Sequence, residues 1–185
     1  IGAQDPSRYF NGQIRDVKII PSALSATEIR QLYSGENPKK NLNVNLVTNG
    51  DMELNANWIA YGSPTSQARN ADINPHSGTY TWKVVTTATA DQGIRSTINA
   101  TVTAGKSYRF SAWIWNNDGP RGFKVSTDNS SGTLTTEVVT NSNITRAGWQ
   151  EIWGIGHCTA SGTVSTIEVR SLEAAATTFW VDDVS

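Results

Sequence analysis

The sequence has no run of lysines or arginines, no long apolar stretch and no second cysteine. Each absence closes a class of function. Without a basic stripe, and with a net charge of −1, the chain lacks the electrostatic footprint of a nucleic-acid binder. Its apolar runs fall far short of the ~20 residues that a membrane-spanning helix needs. Residues 1–25 do not carry the pattern of a secretory signal, and a first residue of Ile suggests a piece of a larger protein. A single cysteine, Cys158, excludes an internal disulfide. It sits in GIGHCTASG, where a strand would end, and the neighbouring His157 would point to the opposite strand face. The expectation is a buried free thiol and no Cys–His dyad.

Catalytic signatures are missing as well. The sequence contains no H-E-x-x-H, G-x-S-x-G or phosphate-binding loop. A glycosidase needs two carboxylates across a cleft, and nothing around Glu137 and Glu168 marks them as such a pair. Three Asn-x-Ser/Thr triplets, at Asn99, Asn129 and Asn143, fit the glycosylation pattern, as chance allows in a chain this rich in Asn, Ser and Thr.

What the chain does have is Thr, Ser, Asn and Gly in abundance, with seven Trp. Beyond residue 42 no long helical period appears, and short alternating segments are separated by turn chemistry: HSG, TAGKS, NNDGPRG, NSSG and TASG. That pattern predicts an all-β extracellular jelly-roll sandwich. Strand candidates are LNVNLV, NWIAYG, YTWKVVTT, GIRSTINATV, SYRFSAWIWN, GFKVST, TLTTEVVT, WQEIWGIGH, VSTIEVRSL and TTFWVDDVS. In SYRFSAWIW the alternation sets Tyr108, Phe110, Ala112 and Ile114 on one face, with Trp113 and Trp115 on the other.

Before residue 38 the pattern differs. YFNGQIRDVKII reads as a turn and a strand, and PSALSATEIRQLYSG as a short helix with Ser25 and Glu28 at capping-box spacing. We therefore divide the chain into 1–38, a polar linker at 39–45, and a sandwich at 46–185. FNGQIRDVKIIPSALSATEIRQLY resembles the C-terminal end of a concanavalin A-like, laminin-G-type lectin domain, with Arg15 in place of an acidic residue. Such a strand and helix cannot bury Ile14, Val17, Ile19 and Leu32 alone, so they need further strands, the second domain or another chain.

Residues 42–185 resemble the carbohydrate-binding modules of families 4, 9 and 22. Four stretches carry the resemblance: LVTNGDME, HSGTYTWKVV, TVTAGKSYRFSAWIW and WVDDVS. Met52 stands where those modules usually have an aromatic. The resemblance implies a structural Ca2+ where the first and last strands lie side by side. Its ligands would be the Glu53 and Asp182 carboxylates and the carbonyls of Asp51, Ser77 and Tyr80. Calcium accepts such mixed oxygen sets, and two carboxylates from distant segments repel without a cation. Asp183 competes with Asp182 for the role, and on a strand it would point away.

The resemblance also implies a sugar-binding groove on the sheet holding GIRSTI, GFKVST, TLTTEVV and STIEVRS. Its outward residues are polar: Arg95, Lys124, Glu168 and Arg170. Trp58 and Tyr61, on NWIAYG, are the aromatics expected to flank the groove. Trp82, Trp149 and Trp180 are expected to pack. Trp113, Trp115 and Trp153 would form an apolar patch on the opposite sheet, covered by the N-terminal segment or another subunit.

The sequence therefore points to a non-catalytic carbohydrate-binding module within a larger extracellular, cell-surface or virion protein. Its partners would be polysaccharide or glycan and other domains of the parent chain, with no nucleic acid and no membrane. The alternative is a structural β-sandwich of a virion, filament or surface layer, with a homo-oligomer as its partner.

Overall fold

A computed structural model of the chain describes residues 45–128, 133–134, 138–145 and 148–185. The lectin-like strand and helix expected at 1–38, most of the linker, Asn129 and Glu137 lie outside the described residues.

The described strands are β1 (Trp58–Tyr61), β2 (Ser66–Asn70), β3 (Thr81–Val85), β4 (Gln92–Val102), β5 (Ser107–Asn116), β6 (Arg121–Asp128), β7 (Thr133–Leu134), β8 (Val138–Ile144), β9 (Gln150–Ala160), β10 (Gly162–Ser171) and β11 (Thr178–Asp182). They form two antiparallel sheets. The first has the order β1-β4-β10-β6-β8 and the second β2-β3-β11-β5-β9-β7. The inner faces meet in one apolar core. Ile94, Phe123, Val125, Ile167 and Val169 come from the first sheet, and Val84, Phe110, Ala112, Ile114, Ile152, Phe179 and Val181 from the second. Phe123 and Phe179 meet edge to face across the sheets, with centroids 4.9 Å apart. The expected all-β sandwich is therefore present, and the face predicted for β5 is the buried one.

Cys158 is buried beside Val102 and Val164, and its thiol donates to the Ala160 carbonyl at 3.0 Å. It is the buried free thiol that the sequence suggested.

Three strand boundaries differ from expectation. TLTTEVVT is not one strand: Thr133–Leu134 pair with β9 in the second sheet, while Val138 onward pairs with β6 in the first. The sandwich crosses from one sheet to the other inside that segment. SQARN forms β2 with no apolar alternation to signal it, because the strand is an edge with only β3 as partner. Residues 45–47 of LNVNLV are not a strand. They still run beside the chain end, where Asn45 donates to the Val184 carbonyl at 2.7 Å and the Val184 N–H to the Gly50 carbonyl at 2.8 Å.

The Asn-Gly pair of the opening motif has two separate jobs. The buried Asn49 side chain donates to the Leu54 and Ala56 carbonyls and accepts the Leu54 N–H, while its own carbonyl takes the Trp58 indole N–H at 2.9 Å. Gly50 lies so close to the Val184 carbonyl that a Cβ would collide with it. Met52 is fully buried in the core.

Gly93 of β4 is a second close approach, since a Cβ there would meet the Val169 carbonyl and Arg170 Cα of β10. Its lack of a side chain sets the β4–β10 spacing, with Gly93 opposite Arg170. Gly93→Ala is expected to destabilise the sandwich by about 1–3 kcal/mol, as overpacking does. That corresponds to a melting temperature lower by roughly 2–10 °C. An unchanged thermal melt would show that the sheet absorbs the methyl group.

Candidate functional site

The outward face of the first sheet is ordered by its register. One row across it runs Tyr61, Gly93, Arg170, Lys124, and the next runs Ile59, Arg95, Glu168, Ser126. Five of the six residues expected to bind sugar (Tyr61, Arg95, Lys124, Glu168 and Arg170) therefore share one face in two adjacent rows. Their side chains interlock. Arg170 Nη2 reaches Glu168 Oε2 at 3.1 Å and donates to Ser126 Oγ at 2.8 Å, and Ser126 Oγ donates to Glu168 Oε2 at 3.2 Å. Arg170 Nη1 donates to the Tyr61 hydroxyl at 3.1 Å, and the guanidinium lies 4.5 Å from the ring centroid. Lys124 pairs with Asp91, which also faces Arg170 Nη1 at 3.7 Å.

Trp58 does not belong to this face. It is 3 % exposed, lies in the core, and pairs in register with the buried Ser96. Residues three apart on a strand point to opposite sides, so Tyr61 outward requires Trp58 inward. Ile59, half exposed, takes the outward place on β1.

Of the expected metal residues, Glu53 and Asp182 accept backbone amides from the 71–80 loop, which carries Ser77 and Tyr80. Glu53 Oε1 accepts the N–H groups of Thr79 and Tyr80 at 2.7 and 2.9 Å. Asp182 Oδ2 accepts those of His76 and Ser77 at 3.0 and 3.1 Å, and its Oδ1 takes the Asp183 N–H at 2.8 Å. Arg69 donates to the Glu53 carbonyl and stacks 3.9 Å over the Tyr80 ring. The Thr79 and Tyr80 amides hold the Glu53 carboxyl below its ordinary pKa. Burial pushes Asp182 the other way, from 3.8 to about 6, against the pull of its amide donors. Asp51 is exposed.

Asp183 does not turn away. It lies just past the end of β11 with a φ of 45°, which breaks the strand alternation. Its carboxylate meets His76 Nδ1 at 2.6 Å and accepts from Ser77 Oγ at 2.8 Å. Sequence reasoning admits Asp183 only as a competitor that points away and does not place His76 here, because alternation predicts side-chain direction only while the strand lasts. Among the described residues, no three His, Cys, Asp or Glu side chains are grouped to hold a metal. Any cation here would depend on carbonyl oxygens as well.

The same loop covers the tryptophans. His76 stacks on Trp113 at 3.8 Å, Trp149 meets Trp115 edge-on at 5.9 Å, and the Trp149 and Trp180 indoles donate to the Asn74 carbonyl and Asp72 carboxylate. The cover over Trp113 and Trp180 thus comes from residues 72–76 of the same domain, with Trp149 beside Trp115. Neither the N-terminal segment nor another subunit is needed for it. Trp153 stays 55 % exposed, with Arg109 over its ring. A shallow cavity of about 470 Å3 opens beside it, between Asp51, Arg109, Trp113 and Glu151. Its polar groups are already answered internally: Arg109 pairs with Glu151 and donates to Ser111, and Ser111 meets Ser185. The face of the first sheet is the better candidate, since its register gathers Tyr61, Arg95, Glu168 and Arg170 in two adjacent rows.

Comparison with known proteins agrees with this architecture. The CBM22-1–GH10 modules of Clostridium thermocellum endo-1,4-β-D-xylanase 10B, complexed with xylohexaose, superpose with a TM-score of 0.56 at 22% identity, over 69% of this chain and 25% of that one. The CBM22-1 xylan-binding domain of Paenibacillus barcinonensis Xyn10C gives 0.55 at 16% identity, over 72% of this chain and 88% of that one. TmCBM61 in complex with β-1,4-galactotriose gives 0.58 at 14% identity, over 77% and 97%. These likenesses establish the fold, and the chain spans only a quarter of the xylanase structure. No curated protein matches the sequence. The family model described as carbohydrate binding domain matches residues 44–170. With well over half of its 185 residues inside that match, this chain belongs to the carbohydrate binding domain family.

Proposed function

We propose that the domain binds polysaccharide on the outward face of its first sheet, as a non-catalytic accessory domain of a larger secreted protein. The observation that carries this reading is the register, which gathers Tyr61, Arg95, Glu168 and Arg170 into two adjacent rows. Tyr61 offers a ring for stacking on a sugar. The fixed guanidinium and carboxylate groups offer paired donors and acceptors to hydroxyls. Structural relatives named for xylan binding make a β-linked xylan the first probe. The covered Trp113 and Trp115 remove most of the apolar patch on which an assembly role would rest, leaving Trp153 and Ile155 exposed. On affinity gels containing soluble xylan, the protein is expected to be retarded. Tyr61→Ala is expected to weaken binding about tenfold, the equivalent of ~1.4 kcal/mol. No retardation on xylan or on other β-linked polysaccharides would reject the reading.

We further propose that calcium sits at the 71–80 loop. The donor set suits it. Glu53 Oε2 and the carbonyls of Asp51 and Ser77 accept no hydrogen bond from the described residues. Asp182 is fully buried, and no lysine or arginine among the described residues lies within ion-pair distance. Hard oxygen donors of this kind suit a flexible coordination shell of roughly six to eight. Glu53, Asp182 and these carbonyls would hold the ion, whose charge would offset the two carboxylates.

The sign of the pH effect follows from Asp182. Its folded pKa of about 6 lies above the ordinary 3.8, so the metal-free fold binds a proton more tightly than the unfolded chain. That contribution is complete below the lower value and is lost as pH rises through the higher one. Calcium binds the carboxylate, so its stabilisation grows over the same interval. Calcium is expected to raise the melting temperature over the chelated protein by about 5–10 °C near neutral pH, and by less near pH 5. Identical melts with calcium and with chelator at both pH values would reject the site.

A further inference from the structure

We infer that the polysaccharide taken by the first sheet carries carboxylates, as uronic-acid sugars do, and that Arg95 selects for them. The inference rests on the sugar-binding reading above and goes further, to the chemical class of the ligand.

Charge accounting on the face supports it. Lys124 and Arg170 are cations, with side chains 16 % and 13 % exposed. Asp91 and Glu168 are their anions, through the Lys124–Asp91, Arg170–Asp91 and Arg170–Glu168 contacts. Within these two rows and Asp91 beside them, two positive and two negative charges cancel, and Arg95 is left over. It is exposed, and among the described residues no carboxylate lies within ion-pair distance of it. Its register neighbours are Ile59, which is apolar, and Glu168, whose Oε2 is already committed to Arg170 and Ser126. The Arg95 guanidinium stands 6.0 Å from the centroid of the Tyr61 ring, which also meets Arg170 at 4.5 Å.

A neutral glycan does not require this arrangement. Hydroxyls are served equally well by uncharged side chains, whereas a free guanidinium fork matches a carboxylate in two parallel charge-assisted bonds. Placed beside the stacking ring, it would meet an acidic substituent on a sugar held over Tyr61. Of the carboxylates in and beside these two rows, Asp91 is paired with Lys124 and Glu168 with Arg170.

The experiment compares one polysaccharide in two forms: glucuronoxylan as isolated, and the same polymer with its carboxyls chemically reduced. Binding is measured by calorimetry at low and high salt. The native protein is expected to bind the acidic form about tenfold more tightly at low salt, in the range of a charged hydrogen-bonded contact. The preference should shrink as salt screens the exposed pair. Arg95→Gln is expected to bind the acidic and the reduced forms equally, with the melting temperature unchanged. Equal affinity for both forms, or a preference that survives Arg95→Gln, would overturn the inference while leaving sugar binding intact. Binding to neither form would overturn the sugar-binding reading and the inference together.

Discussion

The outer layer of the second sheet depends on two carboxylates that accept backbone amides. The 71–80 loop, ADINPHSGTY, has no helix or strand to satisfy its own backbone. Backbone donors drawn toward a protein surface must find partners. Four of them do so at Glu53 and Asp182, carboxylates separated by well over a hundred positions in the chain. With both segments tied down, the loop lies across the sheet, and His76, Asn74 and Asp72 meet Trp113, Trp149 and Trp180. The tryptophans do not hold the loop by hydrophobic burial alone. Their indole N–H groups and ring faces are served by a polar strap, and the strap is held by carboxylates.

This dependence explains what could be read from the sequence. Period-two alternation found the core face of β5 and the outward Arg95, Lys124, Glu168 and Arg170, because those strands are long and paired on both sides. It also implied that Trp58 and Tyr61 could not share a face, yet the wish for groove aromatics placed them together. Alternation failed where the strand stopped, at Asp183, whose φ of 45° turns its carboxylate back to His76 and Ser77. The cover over the tryptophans had no local signal at all. Its contacts join positions such as 76 and 182, and only the folded sheet brings those together. The cluster around Glu53 was legible through family resemblance; its amide-accepting geometry was not.

The two faces of the sandwich thus solve opposite problems. The outer face of the second sheet carries bulky rings, partly covered by the 71–80 loop, with Trp153 left exposed. The outer face of the first sheet carries charges and stays open. Its polar side chains are not loosely solvated, since Arg170 is held by Glu168, Ser126 and Tyr61 together. Such mutual bonding fixes rotamers before any ligand arrives, which lowers the ordering cost of binding. It also means that truncating Arg170 would strand the buried Glu168, so loss of binding in that variant would mix lost contacts with lost structure.

A face built this way should bind single sites modestly. One ring supplies stacking, and most of the charged groups already have partners that a ligand must match or displace. Affinity that is weak per site becomes useful when the ligand is a polymer with many equivalent sites and the protein is tethered near them. Effective concentration then replaces intrinsic tightness. On the proposed reading, stability and recognition are separate in this domain. The carboxylate-held strap sets how firmly the sandwich stands, and the opposite sheet can change its sugar preference through an exposed residue such as Arg95 without disturbing it.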